Sequence, residues 1–158
     1  MPEQQGIYDY LTGNELLEVV ADLKNIPSFQ VQNLQQELSA YMKLPDLSVL
    51  VSHYSKGNRE KLIFLLALLG HPNILVLDEP FTGFDPESVL GAEKFLLKYS
   101  MNGNFLILST HVLEIAAQLC HRVLVLLEKD KSIMLDFQQE RNINKRLEKL
   151  ASYFGDVK

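Results

Sequence analysis

The 158-residue sequence has one cysteine, Cys120. That excludes an internal disulfide and fits a reducing, cytosolic compartment. On a segment with helical spacing, Cys120 reads as a small buried hydrophobe. Long apolar runs are also lacking. The longest, Leu62 to Leu69, falls short of the ~20 residues that a membrane-spanning helix needs. Met1-Pro-Glu-Gln-Gln5 has no basic stretch followed by an apolar one, so no signal peptide is expected. Positive charge is scarce too. The formal net charge is −5, and no Lys/Arg cluster is interleaved with aromatics. This excludes a broad phosphate-backbone footprint, and nucleic acid is not an expected partner. There is no internal repeat and no low-complexity segment. The remainder, 47% apolar and 22% charged, is the composition of a chain that buries a core, at the length of one domain.

Punctuation divides the chain clearly. Thr12-Gly-Asn-Glu15 is a capping-box pattern opening a helix with Leu16, Val20 and Leu23 as its apolar stripe. Pro27-Ser28 starts a second helix with Val31, Leu34, Leu38 and Tyr41 on one face. After a polar turn, Tyr54-Ser-Lys-Gly-Asn58, a strongly apolar helix is expected over 59–69, ended by Gly70 and Pro72. Ile74 to Leu77 is a short apolar run bounded by Asn73 and two acids, and reads as a strand buried on both faces of a parallel sheet. Asp85-Pro86 supplies the N-cap and first turn of the next helix. A second strand over 105–109, a short helix over 112–120 and a third strand over 122–127 follow. Residues 133–137 return as a hairpin strand, and 138–154 form a charged amphipathic helix. Alternation of strand and helix from 74 to 127 implies right-handed crossovers in a parallel sheet.

Asp78 and Glu79 sit at the carboxyl end of the first strand, where open α/β sheets place ligand and catalytic groups. Two readings of that dipeptide stand side by side: a solvated acidic turn, or a metal ligand followed by a base that polarises water. The surrounding pieces favour the second. Ser55-Lys-Gly-Asn58 opens a helix before the acids, Gly83-Phe-Asp-Pro86 follows them, and Ser109-Thr-His111 ends the next strand. In this order they resemble the signature motif, Walker B, D-loop and switch-histidine loop of ABC transporter ATP-binding domains. The Tyr-Ser-Lys-Gly form of the signature is similar to that of bacterial exporters of the ABC-2, bacitracin-resistance-like group. Ile7-Tyr-Asp-Tyr-Leu-Thr-Gly13 is similar to the stretch that opens the helical subdomain in that group. The resemblance runs to about residue 137.

The resemblance implies a P-loop NTPase fold of the ABC type, α/β, with a helical subdomain ahead of parallel strands and crossover helices, then a C-terminal hairpin and helix. Its parts would be 1–57 (Q-loop tail and helical subdomain), 58–137 (second half of the catalytic core) and 138–158 (C-terminal helix). It implies ATP and Mg²⁺ as cofactors. Asp78 would hold the metal through its water shell, and Glu79 would be the general base. His111 would steady the γ-phosphate. Ser55, Lys56, Gly57 and Asn58 would present a helix N-terminus to ATP held by an opposing domain. Lys56 stands where the wider family has glycine, and Asn58 where glutamine or methionine is usual. Asp85 would both cap its helix and reach across the dimer. The plainer alternatives remain: Ser55 and Gly57 as a cap and a tight turn, Lys56 solvated, His111 a surface histidine. His53, His71 and His121 match no motif and read as structural.

One part of the family pattern is not found. None of the glycines, at 6, 13, 57, 70, 83, 91, 103 and 155, begins G-x-x-x-x-G-K-[ST], the loop whose amides cradle phosphate. Met1-Pro-Glu3 is similar to the tail of the exporter group's Q-loop, which places Glu3 at the Q-loop glutamine position and makes Met1 an internal methionine. The chain then resembles the last two-thirds of an N-terminally truncated domain that lacks Walker A. The missing strand would lie between the second and third strands read here, and its loss would expose apolar surface. The function implied is ATP binding and hydrolysis in an exporter-type ABC transporter, peripheral on the cytoplasmic face of the membrane. Its partners would be an integral membrane permease and a second ATP-binding domain. The alternative is a non-catalytic fragment acting as a dimer partner or without activity. A DNA-repair or translation ATPase of the same fold would carry coiled-coil insertions or basic linkers, which the sequence lacks.

Overall fold

The capping box forms as the sequence dictates. Thr12 accepts from the Glu15 amide and Glu15 reaches back to the Thr12 amide, which opens helix α1 (Gly13–Leu23). A computed structural model describes residues 9–127 and 131–154. Helix α2 (Ser28–Ser39) starts after Pro27 and buries Val31, Leu34 and Leu38. The inward face of α1 is Leu16, Leu17 and Ala21, whereas Leu23 points to solvent. Position 17 displaces 20 and 23 because α1 packs against both α2 and α3, which widens its buried arc. Helix α3 (Lys56–Leu68) begins three residues ahead of the expected start, because Ser55 Oγ accepts from the Asn58 amide and caps it. It buries Leu62, Phe64, Leu65 and Leu68, and also Lys61.

Gly70, at φ +83°, reverses the chain into strand β1 (Ile74–Asp78). Asp85 caps helix α4 (Pro86–Met101), accepting from the Ser88 amide at 2.9 Å. Strand β2 (Phe105–Ser109) pairs with β1 in parallel, with Ile74 opposite Phe105 and Asp78 opposite Ser109. Helix α4 is the crossover between them. A T-shaped aromatic chain, Tyr41–Phe95–Phe64–Phe84, joins the turn after α2 to α4, α3 and the loop after β1.

The chain divides into two compact units, Met1–Ser109 and Thr110–Lys158. In the second, helix α5 (Leu113–Leu119) leads to strand β3 (Arg122–Leu126), strand β4 (Ser132–Asp136) and helix α6 (Ile143–Ala151). Ala116, Ala117, Val125, Leu135, Phe137 and Leu150 form its core. Arg146 staples it, donating to the carbonyls of Ala117, Cys120 and Phe137 at 3.0–3.3 Å.

Two expectations change. β3 pairs antiparallel with β4, and among the described residues neither joins the β1–β2 pair, so the parallel sheet has two strands rather than three. β1 is also not buried on both faces. Leu75 and Leu77 are covered, but Ile74 and Val76 are 61% and 66% exposed, beside Phe105 and Ile107 at 72% and 58%. A continuous apolar run carries no sign of which face lacks a cover; only the packing tells.

Candidate functional site

The parallel register brings the ends of β1 and β2 together. Ser109 lies opposite Asp78. Its hydroxyl donates to Asp78 Oδ1 and accepts from the Glu79 amide at 3.1 Å. The same amide also approaches the Ser109 carbonyl at 3.3 Å. Asp78 is exposed and Glu79 half-buried. Glu79 has φ +44°, a left-handed conformation unusual for a side chain of this size. The chain turns sharply there, with the Thr82 amide donating back to the Glu79 carbonyl. Sequence reading named Ser109 only as the start of the Ser109-Thr-His111 loop and missed its contact with Asp78. Its signal was the matched position of two strand ends, which is legible only once the register is known.

The Ser55–Asn58 turn and the loop after β1 meet. Gly83 takes φ +82° and lies on Gly57 so closely that a Cβ at Gly57 would stand 2.3 Å from the Gly83 carbonyl oxygen. Both positions therefore need glycine, one for conformation and one for close approach. Ser55 and Lys56 are exposed at the start of α3, and Gly57 and Asn58 are half-buried. Asp85 is at once an N-cap and an ion-pair partner, with Lys61 Nζ 2.7 Å from Oδ2. The hydrogen bond from Lys61, then those from Ser88, hold the Asp85 carboxyl well below the usual carboxylate range. Lys61 was also missed by sequence reading. Its signal was one basic residue inside the buried face of an otherwise apolar helix.

The first unit thus gathers Asp78, Glu79 and Ser109 at one end of β1–β2, and Ser55 to Asn58 with Gly83 to Asp85 around the start of α3. His111 lies exposed at the start of the second unit, where the Val112 amide donates to Thr110 Oγ1 at 3.1 Å. Glu3 falls outside the described residues.

No three His, Cys, Asp or Glu side chains among the described residues converge on a metal position. One carboxylate beside one hydroxyl is instead the donor set of a magnesium ion that keeps several waters and arrives with phosphate ligands. Asp78 and Ser109 fit that role.

No family model matches the chain. Relatives do. Mouse "ATP-binding cassette sub-family A member 7" is 37% identical over 128 residues, which is 79% of this chain and 6% of that protein. The human "Phospholipid-transporting ATPase ABCA3" is 30% identical over 80% of this chain and 8% of its own length. An uncharacterized ABC transporter ATP-binding protein of Methanocaldococcus jannaschii is 28% identical over 84% of this chain and 51% of its own. A solved structure of the ATP-binding subunit of an ABC transporter superposes with a TM-score of 0.73 at 25% identity, covering 95% of this chain and 66% of that one.

The chain belongs with the ATP-binding domains of ABC transporters.

Domains of this kind bind ATP with Mg²⁺. The present chain spans about half the length of the archaeal relative and under a tenth of the two mammalian ones. No helix among its described residues is long and apolar enough to cross a membrane.

Proposed function

We propose that this ABC ATP-binding domain forms one face of an ATP-dependent dimer in an exporter-type transporter, on the cytoplasmic side of the membrane beside an integral membrane permease. The observation that carries the reading is the pairing of Asp78 and Glu79 with Ser109 at the carboxyl end of a parallel strand pair. Bound Mg-ATP supplies the γ-phosphoryl group and a metal that withdraws charge from it. Asp78, oriented by the Ser109 hydroxyl, binds the water shell of the metal. Glu79, at the sharp turn that ends the strand, takes the proton of the attacking water. His111 steadies the γ-phosphate. Ser55, Lys56, the Gly57 amide and the Asn58 side chain bind the phosphate carried by the opposing domain, and Asp85 contacts that domain. Glu3 takes the Q-loop position.

A second reading has its own support. The sequence contains no G-x-x-x-x-G-K-[ST] loop, and without that amide cradle two adjacent acids repel an unescorted nucleotide. The chain then acts as a non-catalytic dimer partner. Calorimetric titration with Mg-ATP separates the two. The chain alone should bind weakly. Mixed with an ABC domain that carries the glycine-rich loop, it should associate only when Mg-ATP is present. Gly57→Asp should abolish that association. Glu79→Gln should preserve it while lowering turnover by about 10²-fold or more. Turnover of the mixture unmoved by Glu79→Gln selects the non-catalytic reading. Association indifferent to both ATP and Gly57→Asp sinks both.

A further inference from the structure

Lys61 is the one lysine or arginine whose side chain is almost wholly buried among the described residues, at 6% exposure, within the apolar face of α3. Burying an ammonium is unfavourable unless it is paired and its protons are satisfied. Here its partners come from two directions. Nζ donates to Asp85 Oδ2 at 2.7 Å and to the Lys43 carbonyl at 3.2 Å, and it lies 5.8 Å from the centre of the Phe84 ring. Asp85 is 53% exposed, so water alone would serve it; the pair answers to the need of Lys61. One turn earlier on α3, Gly57 touches the backbone of Gly83. The loop after β1 is therefore held to α3 at two points, a backbone contact at Gly83 and an ion pair at Asp85. Phe84 lies between them, edge-on to Phe64 and Phe81.

We propose that Lys61 is a positioning residue: it pins the 83–86 turn onto the N-terminus of α3, so that both loops meet an opposing domain as a single surface. The bearing of this on ATP rests on the functional reading above, but the coupling itself does not. Ser55–Asn58 and Gly83–Asp85 lie on different segments of the chain, and an opposing domain that touches both benefits only if their separation is set beforehand. The Lys43 carbonyl extends the strut to the segment leaving α2, so the helical layer is tied to the same point.

Hydrogen exchange read by mass spectrometry on the full chain at low concentration tests this directly, using the segments 55–59 and 83–89. Lys61→Met keeps most of the buried stem and removes the ammonium. It should speed exchange in both segments by roughly tenfold, the scale of a lost charged hydrogen bond, while Lys61→Arg should restore slow exchange. Asp85→Ser is the second arm. Serine still caps α4 but is too short to reach Lys61, so it should reproduce the Lys61→Met pattern without disturbing residues 90–101. Unchanged exchange in 55–59 with either substitution overturns the coupling, and so does an Lys61→Arg variant that behaves like Lys61→Met. Neither readout involves nucleotide. A failure of the ATP-dependent association described above leaves this result standing, and the reverse also holds.

Discussion

Glu79 combines two demands that conflict. Its backbone sits at φ +44°, which disfavours any residue with a Cβ by about 1 kcal/mol or somewhat more. Its carboxylate is the proposed base. Glu79→Gly should therefore raise stability by about 1 kcal/mol in urea unfolding while removing the function, whereas Glu79→Gln should leave stability close to that of the parent. If Glu79→Gly is destabilising, the turn is not strained and the side chain supports the fold. Cys120 is quieter. Burial pushes its thiol up, and a thiol that stays protonated is a poor nucleophile, in keeping with a structural role.

At the scale of the element, α4 presents an instructive glycine. Gly91 lies in the middle of a helix, where alanine would normally stabilise by ~1 kcal/mol. A Cβ at this position would stand 1.8 Å from the Tyr41 carbonyl oxygen. That atom belongs to backbone and cannot swing aside, so the helix would have to move off the end of α2. Gly91→Ala should destabilise by about 1–3 kcal/mol, the usual range for overpacking, with the shift seen in the urea midpoint. Stabilisation in its place would mean that α4 does not rest on the Tyr41 backbone. The nearby Phe95, edge-on to Tyr41 and Phe64, would be disturbed by the same movement.

For the whole molecule, the governing feature is the apolar face of β1–β2. Ile74, Val76, Phe105 and Ile107 alternate outward along two paired strands. Contiguous exposed apolar surface of this kind drives association. Dilution-dependent light scattering of the 158-residue chain should show self-association that weakens when Val76 and Ile107 are both changed to threonine, a residue that keeps strand propensity but adds a hydroxyl. A chain that stays monomeric at high concentration would show that this face is covered.

Much of the local structure was determined by sequence alone. Thr12 with Glu15, Ser55, and Asp85 with Pro86 open helices here because they satisfy amides within a few residues of themselves. The strand ending in Asp78-Glu79 and the order of the motifs around it were legible for the same reason. What tertiary structure decided is what depends on distant partners. The register put Ser109 beside Asp78. The fold of α3 against the loop after β1 set Gly57 on Gly83 and turned Lys61 inward to Asp85. Packing alone left Ile74 and Val76 bare and kept β3, whose hairpin with β4 was legible, out of the parallel pair. Caps and periodicity are short-range properties of a chain; pairing and burial depend on which surfaces are present to meet.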